Sequence, residues 1–201
     1  MNDWLSTVFS LVCGQAVDHT WALGGSLLPT CQRCTGLHVG AFCALLLNVW
    51  LQPRPTAGFR WAHGALLLQM APFGFHWVPQ GPGLRTLSGA LFAFGVVAYL
   101  CLRPRECWRL VWCRGNGRRP DRAESEFGAP RTQAAYWFGL VVCIATLLAV
   151  VSLGGSLAGA GLSVLALLGA IGLASLALLN LGLGFVSLLQ AIRPARRGVS
   201  A

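Results

Sequence analysis

The stretch PTCQRCTGLHVGAF, Pro29 to Phe42, decides how the rest of the chain is read. It opens on two cysteines that bracket Gln32 and Arg33, and it continues without a charged residue to Leu51. The run from about Thr35 to Leu51 reads as a membrane-spanning helix, since about 20 mostly apolar residues cross a hydrocarbon core of about 30 Å. A thiol pair and a positive charge therefore stand at the mouth of a hydrophobic segment.

The whole chain agrees with that reading. Of its 201 residues, 55% are hydrophobic and 10% charged, with mean hydropathy +0.63. Soluble domains carry about 25% charged residues. The net charge is +9, and every basic residue is arginine. Nucleic acid is excluded as the partner, because the arginines lie between and beside apolar runs and not along one soluble face; they read as topology signals and contacts to lipid headgroups. The N-terminus has no positive region and no cleavage site of a secretory signal. Leu5, Val8, Phe9 and Val12 can share one face of a short interfacial helix.

Working outward, further spans are expected at about Phe59–Val78, Leu84–Leu102 and Ala134–Leu153. Trp50, Trp61, Trp77, Tyr136 and Trp137 lie near their ends, where amphipathic rings favour the headgroup layer. The last apolar run, Leu157 to Ile192, would be ~54 Å long as one helix. It can protrude, break or make two short spans. Arg103 to Arg131 holds eight arginines against Glu106, Asp121, Glu124 and Glu126, and Arg193, Arg196 and Arg197 close the chain. The positive-inside rule puts both segments in the cytoplasm, so an even number of crossings separates them. That favours one final span, tilted or broken near its Gly-rich start.

The expected fold is an all-α polytopic transmembrane helix bundle of about five spans plus the short N-terminal interfacial helix. It divides into a Cys/Arg-motif membrane domain (1–103, three spans), a basic cytoplasmic loop (104–130), Gly-rich C-terminal membrane helices (131–193) and a basic tail (194–201). The implied location is the cytoplasmic (inner) membrane, N-terminus outside and C-terminus in the cytoplasm. Gly155, Gly159, Gly169 and Gly172 let the last helix pack closely within the bundle or on a partner helix. Asn180, deep in that run, needs a partner inside the bundle. Cys43, Cys101 and Cys143 read as packing residues, and Cys107 and Cys113 flank an interfacial WRLVW segment.

Counting spans back puts Cys31 and Cys34 outside. Two thiolates at this spacing can share a tetrahedral zinc or close a disulfide. Arg33 and a helix beginning at Thr35 would favour the thiolate, and Thr35 can instead be the helix N-cap. Cys13 lies on the same side, and His19 is a candidate fourth zinc ligand, with Asp18 behind it. His38, four residues after Cys34, can face the site from within the helix. The turn after the second span adds His76, Gln80 and Arg85. Arg33 and Arg85 can hold a phosphate or carboxylate, and Arg33, His76 and Arg85 are the candidate catalytic residues.

CQRCTGLHVG resembles the Cys-Ala-Arg-Cys-Thr-Gly-Ile-Tyr-x-Gly motif of a family of small predicted integral membrane proteins, a domain of unknown function (DUF2085). The family's upstream CHQ corresponds to Cys13-Gly14-Gln15. Its PM-x-x-DG stretch, following Gln and R-x-TG correspond to Pro72–Trp77, Gln80 and Arg85–Gly89. The resemblance covers roughly residues 10 to 100. It implies a membrane location and a clustered polar site to which Gln15, Thr35, Gly36, Gln80 and Gly89 belong, and it implies no established reaction. Gly14 replaces the family's histidine and His76 its acidic residue.

Two functions compete. In the first, a thiol or zinc site at the outer face acts on an anionic or lipid-linked substrate arriving from the membrane lipids. In the second, the chain is a non-catalytic module whose cysteines form a disulfide or a structural metal staple. A transporter is disfavoured by the lack of paired acids in the spans and of an internal repeat.

Overall fold

The structure, a computed structural model, describes residues 3–75, 77–115 and 130–192. Helix α1 (Asp3–Ser10) buries Leu5 and Phe9, four residues apart, and leaves Trp4 and Val8 exposed. Val12 lies beyond the helix end, so the apolar face is narrower than the sequence suggests. A 3₁₀ turn (Val17–His19) leads into an antiparallel hairpin of β1 (Thr20–Leu23) and β2 (Ser26–Cys31), an addition to the helical architecture. Gly24 and Gly25, at φ +58° and +79°, make its two-residue turn, where both positions need left-handed backbone.

Helix α2 (Gln32–Leu51) follows β2 directly. Among the described residues, four stretches are long and apolar enough to cross a membrane: Gln32–Leu51, Pro82–Pro104, Thr132–Leu153 and Ser156–Val186. The second expected span differs. It forms α3 (Ala57–Leu68), capped by Thr56 on the Phe59 amide at 3.1 Å, and a short α4 (Met70–Gly74). Pro72 has no N–H for the Leu68 carbonyl and its ring crowds that oxygen, which interrupts the helix one turn earlier. The pair still runs from end to end of the bundle: Tyr99 donates to the Arg60 carbonyl at 2.8 Å, and Arg33 reaches the Phe73 carbonyl at 2.9 Å.

Helix α5 (Pro82–Gly115) does not stop at residue 103, but runs through Pro104 into the segment expected to be loop. A proline there strips the Leu100 carbonyl of its helical donor. Asn180 of α7 (Ser156–Ile192) supplies a replacement, its Nδ2 donating to Leu100 O at 2.8 Å. This is the partner that a polar residue in the last apolar run required. Helix α7 is one unbroken helix; Gly154 and Gly155 separate it from α6 (Pro130–Leu153). Its Gly159 packs on Leu23, Gly169 on the His38 carbonyl and Gly172 on Leu45.

The tightest contact joins α2 to α5. A Cβ on Gly36 would overlap the Thr86 carbonyl oxygen, one on Gly40 the backbone of Ala90, and one on Gly89 the Arg33 carbonyl oxygen. At the opposite end of α2, a buried polar knot crosses three helices. His63 Nδ1 lies 2.8 Å from the Phe59 carbonyl and Nε2 lies 3.0 Å from the Tyr136 hydroxyl, to which Asn48 donates at 3.3 Å. Tyr136 is therefore fully buried among the helices, whereas Trp50, Trp61 and Trp77 are exposed on the outside of the bundle.

Gly36→Leu should separate α2 from α5 and abolish the monodisperse folded species on size-exclusion chromatography in detergent. Gly58→Ala, where a Cβ meets open space, should leave it unchanged. Overpacking a tight contact costs about 1–3 kcal/mol or more, so equal behaviour of the two variants would contradict this packing.

Candidate functional site

Helix α1 ends because its last turn gives way to Gly14 and Gln15. Gln15 adopts φ +46° and turns the chain towards the hairpin. Its Nε2 donates to the carbonyls of Ser6 at 2.7 Å and Pro29 at 2.8 Å, tying α1 to β2. Cys13, whose amide bonds to the Phe9 carbonyl at 2.8 Å, is thereby held over the end of β2. The Cys31 amide donates to the Cys13 sulfur at 3.3 Å. Thr35 bonds the Thr30 hydroxyl at 2.9 Å and the Cys31 carbonyl at 3.0 Å, which fixes the β2–α2 junction.

Helix α2 begins at Gln32, with Cys31 as its N-cap. Thr35 is therefore inside the first turn and is not the cap, a correction that follows from its hydroxyl bonding back to Cys31. The sulfurs of Cys13, Cys31 and Cys34 all lie within 4.8 Å of one another, and all three are free thiols. Tetrahedral zinc bonded to sulfur at about 2.3 Å would set its thiolates about 3.8 Å apart, so a closure of up to about 1 Å would accommodate the ion. The donors are soft and suit zinc.

The Cys31 thiol is pushed down to about 5 from 9.0. The main cause is the hydrogen bond from the Cys34 thiol; burial opposes it, and the Cys34 amide, Cys13 and the Arg33 amide add to the lowering. The Arg33 guanidinium was expected to do this. It is instead turned away from the thiols, because positions 31 and 34 share one face of a helix and positions 32 and 33 lie on the other.

On that other face, Arg33 Nη2 donates to Phe73 O at 2.9 Å and to Gln80 Oε1 at 2.6 Å, and Gln80 Nε2 donates to the same Phe73 carbonyl at 2.6 Å. Arg85 reaches the buried Gln32 at 3.4 Å. Trp21 Nε1 donates to the Thr86 hydroxyl at 2.9 Å, one residue on. The predicted outer cluster thus divides into a thiol half and an arginine half on either side of α2.

His19 is not among the three clustered donors; its Nε2 lies 3.2 Å from Asp18 on the exposed 3₁₀ turn. His38 is buried one turn below Cys34, with its ring 5.3 Å from that of Phe9 and its Nδ1 unpartnered. His76 lies outside the described residues. Gly36 and Gly89 act in the α2–α5 contact. Gln69 was not anticipated as a site residue: its Nε2 donates to Ser88 O at 3.0 Å, and its buried Oε1 has no partner. Its position four residues before Phe73 was the available signal.

Residues 13–99 match the family described as predicted membrane protein (DUF2085). No curated protein and no solved structure matches the chain. The DUF2085 segment begins at Cys13 and ends in α5, so it contains every residue of both half-sites, while α6 and α7 lie outside it.

Metal-free protein should alkylate at Cys31 at a rate that is flat from pH ~8 to ~6 and half lost near pH 5, because a sulfur with a lowered pKa gains its proton only below that value. Cys34→Ala should move the midpoint upward, towards the ordinary thiol value of about 8.5. Peptide mass spectrometry of the alkylated protein reads both; an unmoved midpoint contradicts the assigned cause.

Proposed function

We propose that this chain is a multi-pass protein of the cytoplasmic membrane that holds a zinc ion on Cys13, Cys31 and Cys34 at the outer face, and that receives an anionic, lipid-linked group on Arg33 and Arg85. The observation that carries the reading is the convergence of three sulfurs within 4.8 Å from three separate places in the chain, the segment that follows α1, the end of β2 and the first turn of α2. Zinc would link the three chain segments that carry the sulfurs, and its fourth position would be open to water or substrate.

The outer placement rests on the arginine-rich Arg103–Arg131 segment, which the positive-inside rule assigns to the cytoplasm. The α5 helix that leads into it starts at the thiol end of the bundle, where Arg85 meets Gln32. The anion reading rests on two arginines that make no ion pair among the described residues. Gly182, around which a Cβ meets nothing, leaves room on α7 for a helix-packing partner.

Protein purified in detergent should carry zinc at one ion per chain. Cys31→Ser should remove it, and Cys43→Ser, in the middle of α2, should not. Chelation should lower the thermal midpoint by about 10 °C, the shift expected when about 4 kcal/mol of binding free energy is withdrawn from a domain of this size. A membrane-impermeant maleimide should label Cys31 in intact, chelator-treated cells. Metal absent from the native protein rejects the zinc centre, and labelling only after lysis rejects the orientation.

A further inference from the structure

A cavity of about 250 Å³ lies between α3 and α5, lined by Ala57, Arg60, Trp61 and Tyr99. It stands at the end of the bundle away from the sulfurs, just past the end of the Gln32–Leu51 stretch and beside the last turns of the Pro82–Pro104 stretch. One water takes up about 30 Å³, so the space admits a larger group.

Helical spacing builds it. Ala57, Arg60, Trp61 and Gly64 stand at i, i+3, i+4 and i+7 and share one face of α3. Tyr99 of α5 lies across that face. Its hydroxyl donates to the Arg60 carbonyl at 2.8 Å, and a Cβ on Gly64 would come to 3.1 Å from the same oxygen. Gly64 thus admits the hydroxyl, and Ala57, with its short side chain, leaves the hollow that Arg60 and Trp61 flank. The walls are accessible: Ala57 and Arg60 are exposed, Trp61 is 80% exposed and Tyr99 39%.

The charge on Arg60 is unanswered within the protein. Between Asp18 and Glu106 the chain has no acidic residue. Among the described residues the Arg60 guanidinium makes no ion pair and no hydrogen bond; only its backbone is engaged, through the Thr56 carbonyl at 3.0 Å and the Tyr99 hydroxyl. Ala57, the first residue of α3, brings the positive end of the helix dipole to the same wall. Tryptophan and tyrosine rings at the end of a span belong to the headgroup layer. A guanidinium matches two oxygens of a phosphate. A zwitterionic headgroup carries its own cation, for which the cavity offers no carboxylate. We propose that this cavity binds the headgroup of an anionic phospholipid, its phosphate on Arg60 and its glycerol against Trp61 and Tyr99. The site goes beyond the function proposed above: it is at the other end of the bundle from Arg33 and needs neither the metal nor the anion expected there.

The test uses full-length protein in mixed micelles of a neutral detergent and a rising mole fraction of phosphatidylglycerol. An arginine-selective dicarbonyl reagent modifies accessible guanidinium groups, and peptide mass spectrometry reads the rate at Arg60 separately from those at Arg33, Arg85 and Arg103. Phosphatidylglycerol should slow the modification of Arg60 saturably, by roughly tenfold or more. Phosphatidylcholine at the same fraction should protect it several-fold less, and soluble glycerol phosphate should not protect it. Arg103, exposed but outside the cavity, should be protected less than Arg60. Ala57→Phe, which keeps Arg60 and fills the cavity, should abolish the saturable protection. An unchanged thermal midpoint certifies that this variant folds, and the comparison of Arg60 with Arg103 in the native protein decides the matter if it does not.

Equal protection by phosphatidylglycerol and phosphatidylcholine, or no protection by either, overturns the anionic headgroup. Equal protection of Arg60 and Arg103, or protection that persists in folded Ala57→Phe, is the attraction of any surface arginine to a charged micelle and overturns the cavity as a site. Glycerol phosphate that protects as well as phosphatidylglycerol assigns a free phosphate and overturns the lipid. The rates at Arg33 and Arg85 report the anion reading at the thiol end on their own, so the failure of one site is distinct from the failure of the other.

Discussion

The contact on which the rest depends is backbone against backbone between α2 and α5. Gly36, Gly40 and Gly89 let the two helices approach until a carbonyl of each fills the place where a Cβ would stand. Within a bilayer, helices gain little from burying apolar side chains against each other, so close van der Waals packing sets their register. That register places the Arg33 carbonyl on Gly89. It thereby fixes the first turn of α2, with Cys34 on one side and Gln32 and Arg33 on the other, against Arg85, Thr86 and Ser88. A side chain at any of the three glycines would shift these partners by more than a hydrogen bond tolerates.

Polar satisfaction joins the two halves of the chain. The hydrocarbon core offers no water, so a carbonyl freed by proline needs a protein donor. Pro104 frees Leu100 O, and Asn180 answers it from α7. Near the start of α6, Tyr136 meets His63 and Asn48. The first joins α7 to α5 one residue past the DUF2085 match, and the second joins α6 to His63 and Asn48 within it. The C-terminal helices thus pack against the site-bearing part, the last of them with Gly159 turned onto the hairpin and Gly169 and Gly172 onto α2.

What could be read from residues alone follows from which signals are local. Long apolar runs gave three of the helices within a few residues and the start of α5, because length and hydropathy need no tertiary information. The convergence of Cys13 on Cys31 and Cys34 followed from counting crossings. The hairpin carried a local signal as well, Gly24-Gly25 between two apolar strands, but a helical expectation masked it. The same expectation hid GLHVG as a close-packing motif. Pro72 and Pro104 look alike in sequence, yet one interrupts a helix and the other is carried through. The difference lies in Asn180, 76 residues further on, and no window of sequence contains both. Gln69 and Tyr136 were illegible for the same reason: each is defined by a partner on another helix.

The CQRC spacing explains why the site divides. On a helix, positions three apart lie about 60° from each other around the axis and share a face, and the two between them point away. A C-x-x-C at the start of α2 therefore presents both sulfurs to α1 and β2, and commits whatever lies between them to the opposite side. With Gln and Arg as the intervening pair, one turn of helix carries two chemistries that do not touch. Its amides and the Cys34 thiol stabilise a thiolate at Cys31, while its guanidinium faces the α4 terminus through neutral oxygens only. The thiolate therefore does not neutralise the arginine, and the arginine does not lower the thiol. In the function proposed above each half takes its own counter-ion, a cation among the sulfurs and an anion beside Arg33, because the geometry of one helical turn keeps the two charges on opposite faces.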